Sequence, residues 1–260
     1  MPPPSERTGR DWPLGPYGLW CTVPGTYVAE IVARSGFDWL CVDLQHGFHT
    51  IADVLGFVQV AGLSHTPVLV RIEYQDSRTV HRVLDAGARG VIFPTIDTAR
   101  QAAEAVAICR YPPSGRRSWG PARITLSDPG YSTERANDDV VCIVMVESRA
   151  GLENLDEILA VTGIDAILVG PSDLGIDLGV GPQPHPLAGA HADALETIAS
   201  RCAAAGVVPM AYAVSTAGVA LFRDLGYEVF GVSSDARLLR GAALALVESL
   251  RADDPRSIPP

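Results

Sequence analysis

Eight short apolar runs alternate with eight stretches of helical composition, and this alternation constrains the fold more than any other feature of the chain. The apolar runs lie at 17–21, 38–43, 67–72, 90–93, 140–147, 165–169, 207–212 and 228–232, with helical segments between them and after the last. Continuous apolar runs are typical of parallel strands covered on both faces. Eight βα units in 260 residues predict a (β/α)8 TIM barrel. A doubly wound open sheet would normally place a Gly-rich fingerprint after the first strand, and 22–25 reads Thr-Val-Pro-Gly instead.

The pattern predicts one domain over 1–260, with two interruptions of the alternation. A Pro-, Gly- and Arg-rich connection at 111–139 joins the fourth helix to the fifth strand, and a second excursion covers 175–188. Loops of this length inside a compact domain are usually functional. We expect the tail at 253–260 to be frayed.

The composition excludes several classes of function. All 20 basic residues are Arg, so no lysine is available for a Schiff base, a pyridoxal phosphate enzyme or a Walker P-loop. The net charge of −10 comes without a basic stripe, which argues against nucleic-acid binding. Five scattered cysteines without a CxxC pair predict reduced thiols in a cytoplasmic protein. The N-terminus has no secretory h-region, and no apolar run approaches the ~20 residues of a membrane span.

Polar residues end the predicted strands on the side where TIM-barrel active sites lie. Asp43 ends strand 2 and is followed by His46, Arg71 ends strand 3, Glu147 ends strand 5, and strand 6 runs into Asp173. The carboxyl ends of barrel strands meet at one mouth. We therefore expect these five ionisable groups to converge.

Glu147 and Asp173 are the candidate metal ligands. Two carboxylates suit a hard divalent cation and leave coordination positions open for an α-keto acid and water. Each residue also has a structural alternative. Glu147 could complement the dipole of the next helix or pair with Arg149, and Ser172 or Asp173 could cap a short helix.

Three further residues have candidate roles in proton transfer and charge stabilisation. Arg71 would place a cation beside an oxygen that becomes negative, or would form a structural salt bridge. His46 would act as a general base oriented by Asp43, or would be an ordinary loop histidine. Arg123, in the 111–139 connection, would bind an anionic acceptor, or would only solvate a subunit contact.

Four segments resemble the HpcH/HpaI family of class II pyruvate aldolases. They are Gly-Phe-Asp-Trp-Leu-Cys-Val-Asp-Leu-Gln-His-Gly at 36–47, Arg-Tyr-Pro-Pro at 110–113, the Val-x-Val-Glu ending at Glu147, and Val-Gly-Pro-Ser-Asp-Leu at 169–174. These matches occur in the family's order over about residues 15–250. Gln45 and Met145 stand where the family often has Glu and Gln, and the loop at 115–121 differs from the family's usual form.

The resemblance implies a barrel whose last helix is exchanged between subunits, in a homohexamer built from dimers. It implies Mg²⁺, Mn²⁺ or Co²⁺ held by Glu147 and Asp173, with pyruvate chelating the metal. Arg71 would steady the enolate oxygen, and His46, paired with Asp43, would move the proton. The backbone near Gly170 and Ser172 would hold the pyruvate carboxylate, and Gln45 would hydrogen-bond a metal-bound water.

The function that follows is a metal-dependent aldolase, which cleaves or forms 4-hydroxy-2-oxo acids from pyruvate and a small aldehyde. Within the same fold, the alternatives are oxaloacetate decarboxylation and a citrate-synthase-like condensation of oxaloacetate with another keto acid. A citryl- or malyl-CoA lyase would need a basic nucleotide groove, for which only the arginines at 116–123 are candidates. The alternative of another class is a non-catalytic barrel that acts as a binding protein.

Overall fold

Eight parallel strands close into a barrel in the computed structural model, which describes residues 12–185 and 188–252. Each strand pairs with the next along the chain, and the eighth pairs with the first. The predicted TIM barrel is confirmed. The expected fraying at 253–260 lies outside the described residues. The strands are β1 Tyr17–Cys21, β2 Trp39–Asp43, β3 Val68–Arg71, β4 Gly90–Phe93, β5 Val141–Val146, β6 Ala166–Val169, β7 Val208–Ala213 and β8 Val229–Ser234.

Helices connect the strands and surround the barrel. Polar side chains cap several of them, such as Thr50, whose hydroxyl forms a reciprocal capping box with Asp53 at the start of the second helix. The helix expected at 150–160 is two short helices that meet at Asn154, whose side-chain amide donates to the carbonyl of Asp97. The helices are α1 Thr26–Ala33, α2 Ile51–Gly62, α3 Ser77–Asp85, α4 Ala99–Cys109, α5 Ile124–Ser127, α6 Thr133–Asp139, α7 Arg149–Glu153, α8 Leu155–Leu159, α9 Pro171–Asp177, α10 Ala190–Ala205, α11 Thr216–Asp224 and α12 Asp235–Ala252.

Alternate residues of each strand form two separate cores. Inward-facing side chains, among them Trp39, Leu69 and Ile143, fill the barrel, while their strand neighbours pack outward under the helices. Glycine makes room for the large interior rings: a Cβ on Gly18 would lie 2.2 Å from ring carbons of Trp39. The same parity continues past the strand ends. Residues in step with the interior positions therefore project into the mouth of the barrel.

The 111–139 connection lies at the opposite end of the barrel from that mouth. It runs from the end of α4 to the start of β5, and helices of a β/α barrel end where the following strands begin. Its contacts agree with this position. Arg117 forms an ion pair with Asp85, the last residue of α3, at 2.7 Å. The backbone N–H of Tyr111 donates to Asn137 across the base of the connection.

The last helix, α12, is almost detached from the barrel. Among its 18 residues only Asp235 is buried, and apolar side chains such as Leu239, Leu246 and Leu250 are more than 60% exposed. Asp235 fixes the start of the helix by accepting hydrogen bonds from both the backbone and the hydroxyl of Thr22. In the described part of the chain, no helix is both long and apolar enough to cross a bilayer.

Candidate active site

A cavity of about 250 Å³ opens at the carboxyl ends of the strands. It lies above the interior core, and side chains of Trp20, Met145 and Leu168 contribute to its wall. Six of the nine predicted site residues line it, on three strands and the loops that follow them. They are Asp43, His46, Arg71, Gly170, Ser172 and Asp173.

Asp43 and Arg71 form a buried, bidentate ion pair in this wall. They are direct partners in the register of β2 and β3, which brings both side chains to the same face. Arg71 donates from Nε to Oδ1 of Asp43 at 2.9 Å and from Nη2 to Oδ2 at 2.6 Å. Burial acts to lower the pKa of Arg71, but the hydrogen bonds and charge of Asp43 outweigh it and raise the pKa above its ordinary value. The guanidinium also lies 5.6 Å from the ring centroid of Trp20. Arg71 is thus a fixed, permanent cation at the cavity.

The carboxylate of Asp43 contacts both Arg71 and the loop that carries His46. Both carboxylate oxygens accept from Arg71, and Oδ1 accepts in addition from the backbone N–H groups of Gln45 and His46, at 3.0 and 3.3 Å. No hydrogen bond between the His46 imidazole and the Asp43 carboxylate is present among the described residues. Asp43 thus orders the loop that carries His46 by accepting from the backbone of that loop. Its strongest hydrogen bonds are the two charge-assisted bonds from Arg71. The imidazole itself is exposed and lines the cavity.

Glu147 lies immediately beyond β5, in step with the interior residues Met145 and Ile143. Its side chain is buried, and its Oε1 accepts from the backbone N–H of Thr95 at 2.8 Å and from the Thr95 hydroxyl at 3.2 Å. Burial raises the pKa of Glu147, and the charge of Asp173 raises it further, against the lowering effects of Thr95 and Arg71. Glu147 and Asp173 therefore repel each other, which is the electrostatic state that a shared cation relieves.

Asp173 reaches the cavity from the first turn of α9. That helix begins with Pro171 at its first position, and Gly170, the residue after β6, is its N-cap. Gly170 also makes room for Glu147, since a Cβ at position 170 would lie 2.4 Å from Glu147 Oε2. Asp173 is exposed and makes no side-chain hydrogen bond within the described residues, so the capping role considered from the sequence is not observed.

The donors present fit a hard divalent cation. Both candidate ligands are carboxylates, and Oε2 of Glu147 receives no hydrogen bond from the residues that the structure describes. No cluster of three or more His, Cys, Asp or Glu suited to a metal occurs in 12–185 or 188–252. A site here would thus hold its ion with two protein carboxylates and leave several positions for substrate and water.

Three predicted site residues do not line the cavity. Glu147 is buried next to Gly170 of the cavity wall, and Gln45 and Arg123 are the other two. The Oε1 of Gln45 is buried without a hydrogen-bond partner in the described structure. Arg123 lies at the far end of the barrel, where it donates to the carbonyl of Ala86 at 2.9 Å. Arg123 therefore does not line the cavity of its own chain, and its acceptor-binding role stays a prediction. The connection that carries Arg123 leads from α4 into β5, so it lies at the amino ends of the strands, whereas the cavity lies at their carboxyl ends.

Sequence reasoning missed three residues of the site. Thr95 follows β4 after Pro94 and contacts Glu147, while Tyr212 and Trp20 line the cavity and pack edge to face at 5.3 Å. Tyr212 lies on the inward parity of β7, a signal that the sequence carries. Thr95 offered no comparable signal in the sequence. It contacts Glu147 because of its left-handed backbone conformation, which the residue type does not predict.

Comparisons with known proteins show which family the chain is similar to. The model of the protein family described as HpcH/HpaI aldolase/citrate lyase matches residues 16–242. The chain is 38% identical to a hydroxypyruvate/pyruvate aldolase of Deinococcus radiodurans, over 90% of this chain and 85% of that protein. It is 35% identical to a 4-hydroxy-2-oxo-heptane-1,7-dioate aldolase of Salmonella arizonae, over 91% and 90% of the two chains. The crystal structure of an HpcH/HpaI aldolase from Desulfitobacterium hafniense superposes with a TM-score of 0.86 at 28% identity, covering 95% of this chain and 96% of the other.

Proposed function

The chain belongs to the HpcH/HpaI aldolase/citrate lyase family, and from this premise we propose that it is a divalent-metal-dependent pyruvate aldolase. It would cleave or form 4-hydroxy-2-oxo acids through the enolate of pyruvate. The observation that carries the proposal is that Asp173 and the fixed cation Arg71 line one cavity, with Glu147 buried beside Gly170 of its wall and repelled by Asp173. The absence of lysine agrees with it, because an aldolase without a Schiff base needs another electrophile.

Glu147 and Asp173 would hold the metal, which we propose to be Mg²⁺, Mn²⁺ or Co²⁺. When bound, such an ion supplies Lewis-acid polarisation of the α-keto group. Carboxylate oxygens are the ligands that these hard cations prefer.

Arg71 would stabilise the negative charge that develops on the enolate oxygen. Its guanidinium is already desolvated and held by Asp43, so little reorganisation is needed when the charge appears. His46 would move the proton, because its imidazole is exposed at the cavity wall and free of Asp43. The backbone at Gly170 and Ser172 would bind the keto-acid carboxylate, since the first N–H groups of a helix lack intrahelical partners.

The size of the cavity favours small substrates. Its volume of about 250 Å³ lies below the ~300–1,000 Å³ of typical ligand pockets. Pyruvate or oxaloacetate with a short aldehyde or keto acid fits this scale. We place the enzyme in the cytoplasm because its five cysteines are buried and unpaired.

We also propose that α12 packs on a second copy of the chain, in a homohexamer. The support is its row of exposed leucines, together with exposed Tyr27 and Ile31 on α1. Burial of such a stripe is a strong driving force for association. The double variant Leu239→Glu/Leu246→Glu should run as a smaller species by light scattering, whereas Glu248→Gln should not change the mass. An unchanged mass for the double variant would contradict the packing of α12 on a second copy of the chain.

The test of the activity is turnover by protein stripped with a chelator and reloaded with one metal at a time. We expect pyruvate release from 4-hydroxy-2-oxo acids only with metal, and a loss of at least 100-fold in Glu147→Gln. The matched control is Glu153→Gln, an exposed glutamate at the end of α7. Turnover confined to oxaloacetate would assign decarboxylation instead. If the metal-loaded protein turns over no keto acid, the proposed activity is contradicted, and the alternative of a non-catalytic binding protein is favoured.

A further inference from the structure

Thr95 has a backbone conformation that its residue type disfavours. Its φ is +53°, in the left-handed region, where a β-branched side chain is strained. Strain of this kind persists only where the surrounding structure imposes it, and it concentrates at functional sites. The conformation therefore calls for a specific role.

The chain on both sides of Thr95 is held to β5. Phe93 is the register partner of Val144, and the backbone N–H of Ile96 donates to the carbonyl of Met145 at 3.0 Å. Pro94, between them, has no N–H to donate. The segment therefore follows β5 toward Glu147, and the left-handed residue lies beside that carboxylate.

Both hydrogen-bond donors of Thr95 reach one oxygen of Glu147. The backbone N–H and the hydroxyl both donate to Oε1, at 2.8 and 3.2 Å. The other oxygen, Oε2, faces Gly170 on the cavity wall and accepts from none of the described residues. The two oxygens are thereby made unequal: one is fixed by Thr95, and the other remains available.

We propose that Thr95 is a positioning residue, which binds Oε1 of Glu147 so that Oε2 is presented to the divalent cation. This inference rests on the proposed metal-dependent function. The hydroxyl determines the orientation of the carboxylate rather than supplying a ligand. Outer-shell partners of metal ligands typically contribute 10–100-fold to metal affinity, so removal of the hydroxyl should weaken binding within that range.

The test measures Mn²⁺ affinity by electron paramagnetic resonance of free Mn²⁺, without substrate. Thr95→Ser and Thr95→Ala both lack the β-branch and differ only in the hydroxyl, so their ratio isolates it. We expect Thr95→Ser to bind within about threefold of the unchanged chain and Thr95→Ala to bind at least ~10-fold more weakly. Thr197→Ala on α10, whose hydroxyl donates to the helix carbonyl of Asp193, is the control and should not change affinity.

Two further variants make each outcome decisive. Thr95→Gly tolerates the positive φ and also lacks the hydroxyl, so it should bind as weakly as Thr95→Ala even if the alanine variant folds poorly. Glu147→Gln should lose Mn²⁺ binding altogether. If Glu147→Gln loses binding while Thr95→Ala and Thr95→Gly bind like Thr95→Ser, the positioning role is refuted and the metal site stands. If Glu147→Gln keeps full affinity, the metal site itself is wrong.

Discussion

Removal of the Arg71 guanidinium should destabilise the fold as well as abolish catalysis. In Arg71→Met the Asp43 carboxylate, 1% exposed, keeps only two backbone N–H donors and loses both hydrogen bonds from its counter-ion. Breaking one side of a buried ion pair typically costs ~3–5 kcal/mol, because a buried charge is left uncompensated. We expect a loss of that size in the free energy of unfolding. Arg34→Met, which breaks an exposed pair with Glu30, should cost no more than ~0.5 kcal/mol.

The double variant Asp43→Asn/Arg71→Met separates charge burial from packing. Removing both charges leaves no isolated ion, so the double variant should lose less stability than the sum of the two single variants. The interaction energy should lie near the upper part of the ~0.5–3 kcal/mol range of contacting pairs. Urea unfolding at one protomer concentration, followed by tryptophan fluorescence, measures all four proteins. Additivity within ~0.5 kcal/mol, or wild-type stability of Arg71→Met, refutes the description of this pair.

Three further predictions address the fold. Gly18→Ala should cost ~1–3 kcal/mol or more, since its Cβ would meet the Trp39 ring at 2.2 Å; an unchanged melting temperature contradicts this. Asp76→Ala removes the cap of α3 and should cost ~1 kcal/mol in urea unfolding, an effect that is refuted if the midpoint does not move. Burial lowers the pKa of His49, so the unfolded state binds more protons and stability falls as the pH drops through ~6.5. His49→Phe should lose less stability than wild type between pH 7 and 5, and equal slopes would contradict that role.

The barrel was predictable because its determinants are local and repeated. Each strand is a continuous apolar run, and the bounds of β1 and β4 agree with the sequence prediction residue for residue. The convergence of Asp43, Arg71 and Asp173 followed from topology alone, because parallel strands of a closed barrel end at one mouth. Nothing beyond the order of the elements was needed.

Other features of the site could not be predicted, because they depend on competition between side chains for partners or on backbone geometry outside the regular elements. The sequence placed Asp43 near both His46 and Arg71 but could not show that the guanidinium takes both oxygens. The contact of Thr95 with Glu147 depends on the left-handed backbone conformation of Thr95 itself, which the hydrophobic periodicity does not predict. The position of Arg123 was predictable from topology, since a connection from a helix into a strand lies at the end of the barrel away from the mouth.

The central claim is that this chain forms the enolate of pyruvate with a divalent metal held by Glu147 and Asp173. Exchange of the pyruvate methyl protons for deuterium, followed by proton NMR in D₂O without any acceptor, measures that step alone. We predict exchange with Mg²⁺, Mn²⁺ or Co²⁺, no exchange above background after chelation, and none in Glu147→Gln. His46→Ala should slow it by ~10²–10⁴-fold. Exchange that proceeds equally in the presence of chelator, or in Glu147→Gln, would contradict the claim.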